Sequence, residues 1–240
     1  MTKKQLSTYS LYAFYCISVI NLFEQVINTR WLDLATKPLL MITLGLFYLL
    51  ARKEKFNLLS KLMVVALVFS WCGDVLLMLQ GKFESIFIFG LAAFLIAHIF
   101  YIFSYTQAKH QEPGELNPSF VRTRIIFLIF IGAALIYMLY SNLGEMLIPV
   151  MLYTIVIISM GISAVLRRGW TTDKSFIMVY SGALLFIMSD AMIGINKFMN
   201  PIIQARLLIM ATYIAAQFLI VKGILIHENA GEEHADVNES

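Results

Sequence analysis

The sequence predicts an all-α, polytopic membrane bundle of eight transmembrane helices with both termini in the cytoplasm. Three observations carry that reading. Hydrophobic residues make up 60% of the 240-residue chain and charged residues 14%, against about 45–50% and about 25% in soluble domains. The apolar residues fall into runs near 8–27, 31–51, 58–79, 83–106, 123–141, 145–166, 175–198 and 201–226, each near the roughly 20 residues a helix needs to cross the hydrocarbon. The alternating segments of about ten residues that mark a transmembrane barrel are missing. Lipid offers backbone groups no partners, so helices remain.

The elements follow in order. The first run, after "MTKKQ", lacks the small-residue cleavage site of a signal peptide and reads as a retained span. Polar breaks then punctuate the chain: "RKEKFN", "QGK", "QAKHQEPGELNPS", "SNLG", "RRGWTTDK" and "NKFMNP". The third break holds two prolines and a glycine, so a midpoint boundary is expected near 107–121. Residues 1–226 read as one transmembrane domain and 227–240 as an acidic, disordered tail. A weak four-plus-four repeat is suggested by aligning Asp74 with Asp190, which pairs Gly73 with Ser189 and Leu79-Gln80 with Ile195-Asn196. Pro38 and Pro149 would then both mark the second helix of a half, in parallel orientation.

The net charge is +3, and the acidic end of the chain hides a basic remainder. Placing the N-terminus inside leaves Arg30, Lys37, Lys82, Lys197 and Arg206 outside and the other Lys and Arg inside, which is the asymmetry of a membrane protein. The basic loops therefore do not indicate a nucleic acid partner. Cys16 and Cys72 both fall in apolar spans, so no disulfide is expected.

Two spans carry a carboxylate: "LVFSWCGDVLLML" with Asp74 and "GALLFIMSDAMIGI" with Asp190. An intramembrane acid is by default a functional group in search of a partner. Asp74 lies about six residues below the outer end of its span and Asp190 about eight, roughly 9 and 12 Å at the helical rise. Lys37, Tyr153 and Arg206 reach similar depth, and Lys197 lies two turns above Asp190. Arg206, Tyr213 and Gln217 form one polar stripe on the last helix, Ser70 shares a face with Asp74, and Ser189 flanks Asp190. His98 is expected deeper, nearer the cytoplasmic side, packed with Tyr101. Duller roles compete: neutral hydrogen-bonding glue or an ion pair with Arg206 for the acids, and a local pair with Asp33 for Lys37. A single membrane histidine cannot assemble a zinc site, so no metal is expected, and no GxSxG or HExxH motif is present. On these residues alone, proton- or cation-coupled transport is favoured over catalysis.

Several fragments in order give the chain a family resemblance: "TKP" at 36–38, "SWCGDVLL" at 70–77, "GLAAFLIAHIFY" at 90–101, "PVMLY" at 149–153, "GALLFIMSD" at 182–190 and "YIAAQFLI" at 213–220. Together they resemble the YhhN-like lysoplasmalogenase family over most of residues 31–225. Helix 1, the 107–121 loop and the tail carry none of it. The resemblance implies an eight-span hydrolase; no cofactor is expected, and the expected host is a bacterial inner membrane. It would cleave the vinyl ether of a lysophospholipid substrate held among membrane lipids, releasing a fatty aldehyde and glycerophosphoethanolamine or glycerophosphocholine. It also maps the two catalytic acids onto Asp74 and Asp190. Such cleavage needs one carboxyl that still carries its proton and a second that steadies the cation, a division of labour that burial and mutual repulsion favour. The phosphate would sit near Lys37, Lys197 or Arg206.

Overall fold

The computed structural model describes residues 1–53, 56–79, 85–108 and 117–238. Eight α-helices account for nearly all of them: α1 (Lys3–Ile27), α2 (Arg30–Ala51), α3 (Leu58–Leu79), α4 (Ser85–Gln107), α5 (Pro118–Leu143), α6 (Leu147–Val165), α7 (Asp173–Phe198) and α8 (Ala205–Asn238). Among the described residues there is no strand. Seven stretches are long and apolar enough to cross a membrane, with Pro118–Val165 taken as one. The chain is an integral, multi-pass membrane protein.

Local chemistry sets the helix ends. Thr2 and Gln5 form a reciprocal capping box that starts α1 earlier than the apolar run alone predicts. Asn117 accepts from the Phe120 amide, with Pro118 at the first helical position of α5. Thr172 caps α7 through the Ser175 amide, and Asp173 adds negative charge to its first turn. Within Pro118–Val165 the helix breaks at Gly144, whose φ of +50° is a conformation that glycine adopts without a Cβ clash. One 3-10 turn, Gly144–Met146, follows. The chain then reverses: Gly132 of α5 meets Ile158 of α6, and Gly161 of α6 meets Leu128 of α5. That crossed register is antiparallel.

The helices pack as successive hairpins, α1–α2, α3–α4, α5–α6 and α7–α8, with α4 against α6 and the last helix against the first two. Small residues set the tightest seams. A Cβ at Gly73 would lie 2.5 Å from the Phe94 ring, and one at Gly182 would lie 2.9 Å from the Ala216 carbonyl oxygen. Without a hydrophobic drive between helices in lipid, this close approach is a main source of cohesion.

Both ends of the chain meet at one face, the proximal end. Lys3 Nζ donates to the Arg52 carbonyl (2.6 Å), and the Lys53 amide donates to Asn229 Oδ1 (3.0 Å). Glu228 is buried there, accepting from Ser60 (2.7 Å) and facing Arg52 at 3.9 Å. Here the structure departs from the sequence reading. The helix does not end near 226 but runs on to Asn238, and His227 and Glu228, the first residues of the extension, are buried rather than solvated. The expected midpoint boundary at 107–121 lies mostly outside the described residues, as do Lys55, Lys82, Lys109 and the side chains beyond Ala230.

Candidate active site

Asp74 and Asp190 each hold a tyrosine, on opposite sides of an aromatic layer. Asp74, on α3, is 2% exposed and accepts a 2.7 Å hydrogen bond from the Tyr213 hydroxyl on α8. Gln217, one turn along α8, donates to the Tyr213 oxygen (3.4 Å) and accepts from the Tyr101 hydroxyl of α4 (2.5 Å). The donors thus point one way, from Tyr101 through Gln217 and Tyr213 to Asp74. Ser70 is fully buried one turn from Asp74, where its hydroxyl faces that of Tyr101.

Asp190, on α7, accepts from the Tyr153 hydroxyl of α6. His98 Nε2 stands 3.8 Å from the same carboxyl oxygen. The imidazole lies edge-on to Tyr153 and Phe186, and among the described residues neither ring nitrogen has a hydrogen-bond partner. Phe186 and Phe94 separate the two clusters: Phe186 packs on His98 (4.7 Å) and on Tyr213 (5.4 Å), and Phe94 on both Phe186 and Tyr213. Ser189 joins neither cluster; its hydroxyl donates to the Ile209 carbonyl (3.1 Å) and ties α7 to α8.

Along the helices His98 lies further from the distal end than Asp190, yet the two side chains stand 3.8 Å apart. Phe87 of α4 and Phe198 of α7 touch at the distal end. Counted from that contact, the two residues differ in depth by roughly 4.5 Å at the helical rise. Cα–Cβ bonds tilt toward a helix's N-terminus. On these antiparallel helices His98 therefore leans back toward the distal end and Asp190 leans away from it, and the gap closes.

Two cavities meet here. The inner one is narrow, about 50 Å³, and almost wholly apolar, with Asp190 and Tyr153 as polar groups on its wall. The distal one is larger, about 540 Å³, and lined by Arg30, Lys37, Lys197 and Arg206 with Asp33, Gln25, Asn28 and Asn196. Leu77, Phe87 and Ile193 border both. Lys197 Nζ stands 5.0 Å over the Phe87 ring at that border.

The structure brings most of the expected residues together. Lys37, Lys197 and Arg206 share the distal cavity; Tyr153 and His98 attend Asp190; Tyr213 and Gln217 attend Asp74. Arg206 pairs with neither aspartate. Its guanidinium bonds Glu24 (2.9 Å) and Gln25 (3.1 Å) on α1 and Asn28 at the C-cap of that helix. Asp33 accepts from Gln25 (3.1 Å). The α1 residues are the ones sequence reasoning missed. Glu24 sits so near the end of an apolar run that it passes for an interfacial charge, yet its side chain is fully buried. Among the described residues no group of three or more His, Cys, Asp or Glu comes together to hold a metal.

Fold and site define a helical membrane protein with an acid on the wall of an apolar cavity, beneath a cation-lined mouth. The chain belongs to the YhhN family, whose model matches residues 32–224. It is 33% identical over 202 residues to lysoplasmalogenase TMEM86A of Bos taurus, covering 80% of this chain and 78% of that protein. Against the protein of the same name from Homo sapiens it is 33% identical over 187 residues, covering 76% and 70%. A lysoplasmalogenase of Mycobacterium bovis is 30% identical over 181 residues, covering 74% and 66%. No solved structure matches the chain.

Proposed function

We propose that this protein is a lysoplasmalogenase that hydrolyses the vinyl ether of a single-chain lysophospholipid, with Asp190 as the acid and Asp74 as its electrostatic partner. The observation that carries the reading is the junction of the two cavities. A lysolipid has a charged headgroup, a reactive bond just below the glycerol and a hydrocarbon tail. Lys37, Lys197 and Arg206 offer cations for the phosphate, Asp190 lies below them, and apolar walls continue past it. The relatives' names support the same reaction class.

In the proposed sequence, Asp190 gives its proton to the alkene carbon remote from the ether oxygen. A carboxyl in apolar surroundings keeps a proton to give. The ether oxygen and its neighbouring carbon then share an oxocarbenium charge, which carboxylates stabilise. Water adds to that carbon and loses a proton to Asp190, forming a hemiacetal. Collapse of the hemiacetal breaks the carbon–oxygen bond, releasing a fatty aldehyde and the glycerophospho-alcohol. Tyr153 orients the carboxyl, and His98 packs beside it. We place eight crossings in the membrane, counting α5 and α6 separately across the Gly144 reversal. The proximal end is cytoplasmic and the host a bacterial inner membrane, as the distribution of Lys and Arg and the mycobacterial relative support.

The test is direct. Purified protein is incubated with a lysoplasmalogen and, separately, with its saturated alkyl ether analogue, and aldehyde is measured. Aldehyde from the first alone is the expected result. Substrate-dependent flux into proteoliposomes without aldehyde would replace this reading with transport.

A further inference from the structure

The inner cavity has a thin wall. Gly132, Thr154 and Ile158 line it from one side and, from the other, line an apolar groove of about 640 Å³ on the outer surface of the α5–α6 pair. At this seam α5 contributes a glycine, so the partition is the Ile158 side chain set against bare backbone; a Cβ at Gly132 would stand 2.8 Å from Ile158 Cγ1. We propose that the α5–α6 seam is the entrance through which the hydrocarbon chain of a single-chain lipid passes sideways from the bilayer to Asp190. The inference rests on the lysolipid reading above and names its route.

The groove is suited to hydrocarbon rather than to a polar ligand. It lies along a membrane-spanning stretch and is walled by residues such as Ile129, Ile136, Ile155 and Met151. Its two hydroxyl groups of short side chains are already spent on their own helix: Thr154 donates to the Val150 carbonyl (2.8 Å) and Ser159 to the Ile155 carbonyl (2.7 Å). An inner cavity of about 50 Å³ cannot take a tail until a wall moves. Helix α5 is the wall best placed to move. It packs chiefly on α6 and α7, with Tyr137 and Tyr140 turned outward.

The probe is a saturated 1-O-alkyl lysophosphatidylcholine, which has no vinyl ether to cleave, with a diazirine at the tail end. It is mixed with full-length protein in phosphatidylcholine nanodiscs and flashed after varied delays, and labelled residues are mapped by mass spectrometry. In the wild type, label is expected first on the groove face of α5 and α6 and later on the inner cavity. Gly132→Leu should slow the second phase about tenfold, as a barrier raised by about 1.4 kcal/mol would. Ile158→Ala should speed it, which keeps the test decisive if the first variant does not fold. An inner-cavity rate unchanged in Ile158→Ala, or label arriving first on another helix pair, overturns the proposal. Because the readout is labelling, it is separate from aldehyde release: a seam that admits the probe in a protein releasing no aldehyde upholds the entrance and sinks the hydrolase reading alone.

Discussion

Tyr153 of α6 donates its hydroxyl to the carboxyl of Asp190 on α7, at the point where the inner cavity is otherwise apolar. A hydrogen bond to a charged group contributes about 1.5–3 kcal/mol. Tyr153→Phe should therefore lower kcat by about tenfold to a hundredfold with a small change in KM, measured as aldehyde release from a lysoplasmalogen. Asp190→Asn should abolish turnover in protein that still purifies as a folded species. An unchanged kcat in Tyr153→Phe would remove the tyrosine from the chemistry.

Lys37 and Lys197 line the distal cavity without taking part in the Tyr153–Asp190 cluster. Replacing either by Gln should raise KM severalfold and leave kcat near its original value, the pattern of lost uniform binding. A fall in kcat with KM preserved would assign them instead to stabilising the charge on the aspartates.

Arg206 tests a different link. Its partners on α1, Glu24 above all, make it a structural tie as well as a wall of the cavity. Arg206→Glu would set two carboxylates against each other where one is buried, so the thermal denaturation temperature in detergent should drop clearly. Arg206→Lys keeps the charge but loses the fork that reaches three residues at once, and should fall in between. If both variants melt with the wild type while KM rises, the ion pair is incidental and phosphate binding is the main role.

Two glycines give a matched pair. A Cβ at Gly182 meets the Ala216 carbonyl oxygen at 2.9 Å and Ile220 Cγ1 at 2.8 Å, whereas one at Gly45 meets nothing within 4 Å. Gly182→Ala should destabilise by about 1–3 kcal/mol, because backbone on the facing helix must give way. Gly45→Ala should be neutral or stabilising by a few tenths up to about 1 kcal/mol through helix propensity. Equal melting temperatures for the two variants would refute the tight α7–α8 seam.

The helices were legible because a chain crossing lipid must write each span as an unbroken apolar run. Tyr153, Arg206, Tyr213 and Gln217 are legible for a related reason: every polar group inside such a run stands out. His98 is visible in the sequence but its approach to Asp190 is not, since counting residues gives the depth of a Cα and not the direction of a side chain. Glu24 was hidden by its place near a helix end, where a charge is commonplace. The α8 extension through Glu228 was hidden too, because composition alone reads an acidic segment as solvated. What composition could not supply was the aromatic partition: Phe94 and Phe186 look like any other apolar residue in a span, yet they decide that the two aspartates attend separate tyrosines.

The stretch matched by the family begins at residue 32, while the carboxylate that anchors Arg206 sits at position 24. A chain trimmed to the shared portion would keep both aspartates and lose one flank of the mouth above them. Its arginine would swing free, because α1, which holds all but one of its partners, lies wholly within the part removed.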